Sequence, residues 1–175
     1  DIRTLICLLP CNNEEDASYE ECQDDLNRAC AEIENGAEDT AIALAEISDS
    51  NIFFETKKDF AKDMVTGFIK LNGMTVGTVA NRSKVYDENA EVVAEFDGSL
   101  SADGARKAAE FVNFCDAFDI PVLSLTNVKG YKACMCAEKR LAKAMARLTY
   151  AFANASVPKV NLITGEAYGS AYVTM

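Results

Sequence analysis

VTGFIKLNGMTVGTVANRS, residues 65–83, holds two apolar runs separated by Asn72-Gly73. That dipeptide tolerates the left-handed backbone of a two-residue type I′ turn, so the stretch reads as a β-hairpin. Phe68 and Leu71 around Lys70 suit a half-exposed strand, and Val76 to Val79 supplies its partner. Downstream, SADGARKAAEFVNFCDAF spaces Ala105, Ala108, Ala109, Val112 and Cys115 at helical intervals, with Ser101 or Asp103 as N-cap and an end near Phe118. Ile120 to Leu125 (IPVLSL) is a nearly continuous apolar run fed by that helix, the pattern of a buried parallel strand. A loop leads to a second helix, about Ala137 to Asn154, with Leu141, Ala144, Met145, Leu148, Ala151 and Phe152 as its buried stripe. Pro158 opens a third run, KVNLIT, before GEAYGSAYVTM starts another helix. Strands separated by helices of this length pair in parallel through right-handed crossovers. The fold class is therefore α/β, and the leading hairpin favours a spiral of β-β-α units over a doubly wound sheet.

Upstream, residues 11–40 are crowded with Asp and Glu and poor in large apolar side chains. Residues 1–50 read as an acidic linker with short helices near Asp24 to Ile33 and Thr40 to Ile47. Its first piece, Ile2 to Leu9, is apolar enough to dock as a strand or helix. Residues 51–175 form the domain proper.

Composition removes several function classes. The 175 residues carry 17 basic and 28 acidic side chains, net −11, which argues against nucleic acid as a partner because phosphate neutralisation needs a basic footprint. No apolar run approaches the roughly 18 residues of a membrane span. The start, DIRTLICLLPC, lacks a signal-peptide cleavage site, so a cytoplasmic chain is expected. Seven cysteines and no histidine fit reduced thiols better than zinc, and no metal is expected. Without histidine there is no Ser-His or Cys-His triad and no imidazole base. Chemistry must come from carboxylates, lysines, tyrosines or backbone dipoles.

In open α/β folds ligands approach beyond the C-terminal ends of the strands. Two such junctions are legible, Asn127 to Tyr131 and Gly165 to Tyr172. At the second, Gly169-Ser170-Ala171 has little bulk, and its amides would lie in a first helical turn where donors lack internal acceptors. They could hold a developing oxyanion; equally, small residues here could simply let the helix pack tightly on the sheet. Gly130 could likewise only supply a turn. Tyr168 and Tyr172 share a face, which serves packing as readily as proton transfer. Lys139 and Arg140 near a helix start could meet an anion or face solvent. Glu95, Asp97 and Asp103 cluster without a metal-ligand pattern, and Ser170 has no base to make it a nucleophile.

Specific strings add a resemblance. FFETKKDFAKDMVTGFIKLNGMTVGTVANRS (53–83), KAAEFVNFCDAFDIPVLSL (107–125) and LTYAFANASVPKVNLITGEAYGSAYVTM (148–175) resemble the C-terminal half of the carboxyltransferase subunit of biotin-dependent acyl-CoA carboxylases and decarboxylases. The set includes propionyl-CoA, methylmalonyl-CoA and glutaconyl-CoA enzymes. The opening IRTLICLLPCNN is similar to the segment joining that family's two halves. The resemblance implies a crotonase-like (ClpP/crotonase) fold. It also implies an acyl-CoA substrate, biotin delivered on a carrier domain, and a site shared across a homodimer or larger homo-oligomer. The partner across that site would be the N-terminal acyl-CoA-binding half, and backbone oxyanion holes would serve both the thioester enolate and the biotin ureido oxygen.

The family's AYGGAY falls on Ala167 to Tyr172, with Ser170 for the second glycine, which marks Gly169, Ser170 and Ala171 as oxyanion donors and Tyr168 as a biotin neighbour. Its DVPGF falls on Asn127 to Tyr131, marking Gly130 and Tyr131 on the biotin side, without the Asp and Pro. Its ANQP falls on Ala80, Asn81, Arg82 and Ser83. Its EYGG string is replaced by CMCAEKRLAKA, where Lys139 and Arg140 are the nearest matches. Members continue past the matching methionine, so the domain is expected to be truncated at its C-terminus and the piece inactive alone. The alternatives are a crotonase-fold acyl-CoA enzyme without biotin, for which Glu138 and Glu166 are the acidic offers, and a non-catalytic assembly domain.

Overall fold

The computed structural model describes residues 2–15, 19–30, 38–87 and 89–175. At its centre is the hairpin of β2 (Met64–Leu71) and β3 (Met74–Asn81), paired antiparallel along its full length. Asn72 (φ 51°) and Gly73 (φ 79°) take the left-handed turn. Asp49 locks that turn: its carboxylate accepts from the Asn72 amide (3.1 Å) and the Gly73 amide (2.7 Å).

β1 (Phe53–Thr56) adds antiparallel to β2, while β7 (Val122–Val128) and β9 (Lys159–Ala167) continue the sheet in parallel, giving the order β1-β2-β3-β7-β9. Two small ribbons lie outside it. β4 (Lys84–Tyr86) pairs with β5 (Val92–Glu95), and β6 (Ser99–Leu100) pairs in parallel with β8 (Gly130–Tyr131). The crossover helices are α3 (Ala102–Ala117) and α4 (Met135–Asn154), after α1 (Ile2–Leu8) and α2 (Thr40–Ile47) near the start of the chain. The short α5 (Gly169–Thr174) follows β9. Ser101 is the N-cap of α3, its hydroxyl accepting from the Gly104 amide at 2.9 Å.

The β2 strand is buried on both faces rather than half-exposed, because a helix covers each side of the sheet. Met64 and Phe68 join Ala105, Ala108, Val112 and Leu148 of α3 and α4 in one apolar cluster. Val65 and Ile69 join Leu44 of α2, with Val76, Ala80 and Leu125, in the other. Lys70 nonetheless reaches Glu20 at the surface, as a strand-end lysine should.

Leu8 of α1 and Leu44 of α2 are sealed from solvent. Burying a leucine of this kind stabilises a fold by about 1.5–3 kcal/mol. The packed body therefore begins earlier than a boundary after residue 50. Of the helix expected near Asp24 to Ile33, the described residues 24–30 form turns and irregular backbone, and 31–33 lie outside the described residues.

Arg82 is also part of this body. It is buried between Asp39 (3.4 Å) and Glu55 (3.3 Å) and donates to the Lys62 carbonyl, fastening the α2 cap to β1 and β3. With two carboxylates around one buried guanidinium, replacing Arg82 would leave both without that counter-charge.

Candidate active site at the strand ends

Three parallel-sheet neighbours, β3, β7 and β9, end on one side, and two asparagines tie their ends together. The Asn81 side chain reads the backbone of Asn127, accepting from its amide (2.9 Å) and donating to its carbonyl. The Asn127 Oδ1 in turn accepts from the Glu166 amide at 2.8 Å. Pairing of β7 with β9 is irregular here. Thr126 faces Ile163 and Val128 faces Ala167, so four steps on β9 match two on β7. The bulge makes room for the Asn127 amide beneath Gly165, where a Cβ would lie 2.5 Å from Asn127 Oδ1. Bulges of this sort re-aim the chain beside functional sites.

Past the bulge the Tyr168 amide donates to the Val128 carbonyl (3.1 Å) and α5 begins at once. Gly169 sits at φ 61° with open space where a side chain would stand. The amides of Gly169, Ser170 and Ala171 donate to no protein acceptor among the described residues. They belong to the first helical turn, where intrahelical partners do not exist. Ala171 points its methyl into the core, and Tyr168 is exposed beside the turn.

The other junction meets this one through a single side chain. The Tyr131 hydroxyl donates to the Ser170 carbonyl at 2.9 Å and shares a 2.7 Å hydrogen bond with Thr174 Oγ1. Tyr131 is held from behind by the β6–β8 ribbon, where the Lys129 amide donates to Gly98 and the Lys132 amide to Leu100. Gly130, like Gly169, has no neighbour within 4 Å of a would-be Cβ, so both glycines open onto free space. The Lys129 ammonium lies 3.5 Å from Glu166 Oε2 across the same cleft.

Gly130, Tyr131, Tyr168, Gly169, Ser170 and Ala171 are thus neighbours in space as well as in the sequence reading. Lys139 and Arg140 are not among them. They line a groove of about 270 Å³ between α3 and α4 with Arg106, Lys143 and Arg147, and Arg140 pairs with Asp103 at 3.5 Å. Asp103 also meets Arg106, and Asp97 accepts from the amide and hydroxyl of Ser99, which hold its carboxyl below the usual range. Those carboxylates serve loops and helix ends. Of the two acids offered for the alternative without biotin, Glu138 lies in the first turn of α4, and Glu166 lies on β9, where it pairs with Lys129. The sequence reading did not single out Asn81 and Asn127 as tethers. The available signal was a polar amide at the end of each of two apolar strands.

Among the described residues no group of His, Cys, Asp and Glu could hold a metal ion, and no helix is long and apolar enough to cross a membrane.

Comparison with known proteins gives the family. The carboxyl transferase domain family matches residues 1–175. The propionyl-CoA carboxylase beta chain of Roseobacter denitrificans is 38% identical, with 100% of this chain aligned to 34% of its length. The methylmalonyl-CoA decarboxylase subunit alpha of Propionigenium modestum is 36% identical over the same shares. The chain therefore spans about a third of the length of these relatives. Among solved structures, transcarboxylase 12S, described as a hexamer assembly with hydrolysed methylmalonyl-coenzyme A bound, superposes with a TM-score of 0.86 at 32% identity. That superposition covers 99% of this chain and 33% of the other. The α/β architecture is accordingly the crotonase-like one of that carboxyltransferase. By sequence over its whole length and by fold, this chain belongs to the carboxyl transferase domain family of biotin-dependent acyl-CoA carboxylases and decarboxylases.

Proposed function

We propose that this chain is the biotin-side half of an acyl-CoA carboxyltransferase. The observation that carries the proposal is the meeting of two open turns, Gly130-Tyr131 and Gly169-Ser170-Ala171, through the Tyr131 hydroxyl, in a chain matching that family from end to end. Biotin, when bound against Gly130, Tyr131 and Tyr168, would supply the carboxyl group that the α-carbon of the acyl-CoA takes in exchange for a proton. Negative charge passes through an oxygen at each partner, which calls for preorganised donors rather than a histidine.

The amides of Gly169, Ser170 and Ala171 are the donors we assign, and Gly130, Tyr131 and Tyr168 border the flat biotin ring. Lys139 and Arg140 take no part. The acyl-CoA comes from an N-terminal half on a second copy in a homo-oligomer, and the biotin from a separate carrier protein in the cytoplasm. Holding the two together supplies much of the rate.

The test is isotope exchange of the carboxyl group between biotin and a panel of acyl-CoAs, on the full-length subunit and its Ala171→Pro variant. Loss of one such donor lowers kcat by about 100- to 1,000-fold. Acyl-CoA binding should persist; unchanged turnover in the variant would refute the assignment of the amides, and no exchange in the parent would refute the function.

A further inference from the structure

The migrating group is a carboxylate on both of its carriers, and it must enter a chain of net charge −11. Backbone amides offset a transient oxyanion, but a permanent unit charge is better met by a cation. The cleft holds one that the sequence reading passed over. Lys129 is the first residue after the last paired position of β7, and the chain it flanks on β9 runs through Tyr168 into the free amides of Gly169 to Ala171.

Its placement is constrained at three points. Its amide donates to the Gly98 carbonyl at 3.0 Å. Its aliphatic stem lies over Gly98, where an added Cβ would meet the Lys129 methylenes at 3.5–3.7 Å. Its ammonium faces Glu166 Oε2 at 3.5 Å, and Glu166 is itself held by the Asn127 side chain through its amide. That separation is longer than the 2.7–2.9 Å or so of a charge-assisted hydrogen bond. Glu166 Oε2 has no hydrogen-bond partner, and the Lys129 side chain is 60% exposed. Besides its ion pair with Glu166, the exposed ammonium therefore keeps donors that a ligand could take. Lys132, the next cation along, lies close enough to Asp97 to help keep that carboxyl ionised.

We propose that Lys129 is a further catalytic residue, its ammonium binding the migrating carboxylate while Glu166 holds the ammonium over the cleft. This rests on the carboxyltransferase reading above. Lys129 grips the group that travels, and so acts on the carboxylated substrate rather than on its decarboxylated counterpart.

The experiment uses the full-length subunit carrying Lys129→Gln or Lys129→Arg. It measures kcat/KM for carboxyl exchange from a labelled carboxylated acyl-CoA, and the Kd of the decarboxylated acyl-CoA by titration calorimetry. A hydrogen bond to a charged group corresponds to about 10- to 100-fold, so Lys129→Gln should lower kcat/KM by that factor with the Kd unchanged. Lys129→Arg should restore most of the activity, because a guanidinium also binds a carboxylate. Equal exchange by wild type and Lys129→Gln overturns the proposal, as does an equal loss for both ligands together with a lowered Tm, the mark of a merely structural ion pair. Absence of exchange in the wild type overturns the underlying reading and this one with it, and is told apart from the first outcome by that control alone.

Discussion

Replacing Gly165 with alanine tests the tether that aims the chain into the candidate site. The added methyl would lie 2.5 Å from Asn127 Oδ1, 2.7 Å from its Cγ and 3.0 Å from its Nδ2, so the asparagine side chain has to swing away. Swinging breaks its 2.8 Å hydrogen bond from the Glu166 amide. A lost bond of this type costs about 1–3 kcal/mol when the donor is left without a partner. For a domain of this size that corresponds to a fall in Tm of roughly 2–12 °C, at about 2–4 °C per kcal/mol. Gly165→Ala, Asn127→Ala and the double variant, followed by chemical denaturation, form a cycle. In the Asn127→Ala background the methyl meets no amide, so Gly165→Ala should then cost less by about 1–2 kcal/mol, within the range seen for residues in contact. Gly165→Ala with wild-type stability, or a double variant whose loss equals the sum of the singles, would refute the reasoning.

Two further outcomes follow from the same structure. Tyr131→Phe removes the hydroxyl that joins Ser170 and Thr174, so it should destabilise the chain by about 1 kcal/mol and lower exchange activity in the full-length subunit, checked by denaturation and by the exchange assay. Lys107, buried with its ammonium on the Phe60 and Met64 carbonyls, is pushed down by desolvation from 10.5 to about 8. Above pH 8 the native lysine sheds its proton while the unfolded one keeps it, so the unfolded state binds more protons and stability rises with pH. Wild type should thus gain stability relative to Lys107→Met between about pH 8 and 10.5, and a pH-independent difference would contradict the burial argument.

Much of the fold can be read along the chain because its signals are local. Asn72-Gly73 specifies the hairpin by backbone conformation, Ser101 caps α3 through an amide three residues away, and Pro158 precedes β9. The alternation in β2 was legible too, but its burial was not: whether Lys70 marks an exposed face depends on what packs on its side of the sheet, and Met64 and Phe68 of that face lie under α3 and α4, joined to it only through the tertiary fold. The AYGSAY turn and the Asn127–Tyr131 turn were both visible as strings. Their adjacency was not, since Tyr131 meets Ser170 across 39 residues, Asn81 meets Asn127 across 46 and Asn127 meets Glu166 across 39. Lys139 and Arg140 show the reverse, a plausible charge pair that packing turns toward the α3–α4 groove and away from the cleft. By itself the sequence determined the turns, caps and periodicity, all properties of a residue and its near neighbours. The tertiary structure decided which amides stand free and which turns lie side by side, because those depend on the parallel register and bulge between strands that the chain joins only through long helices.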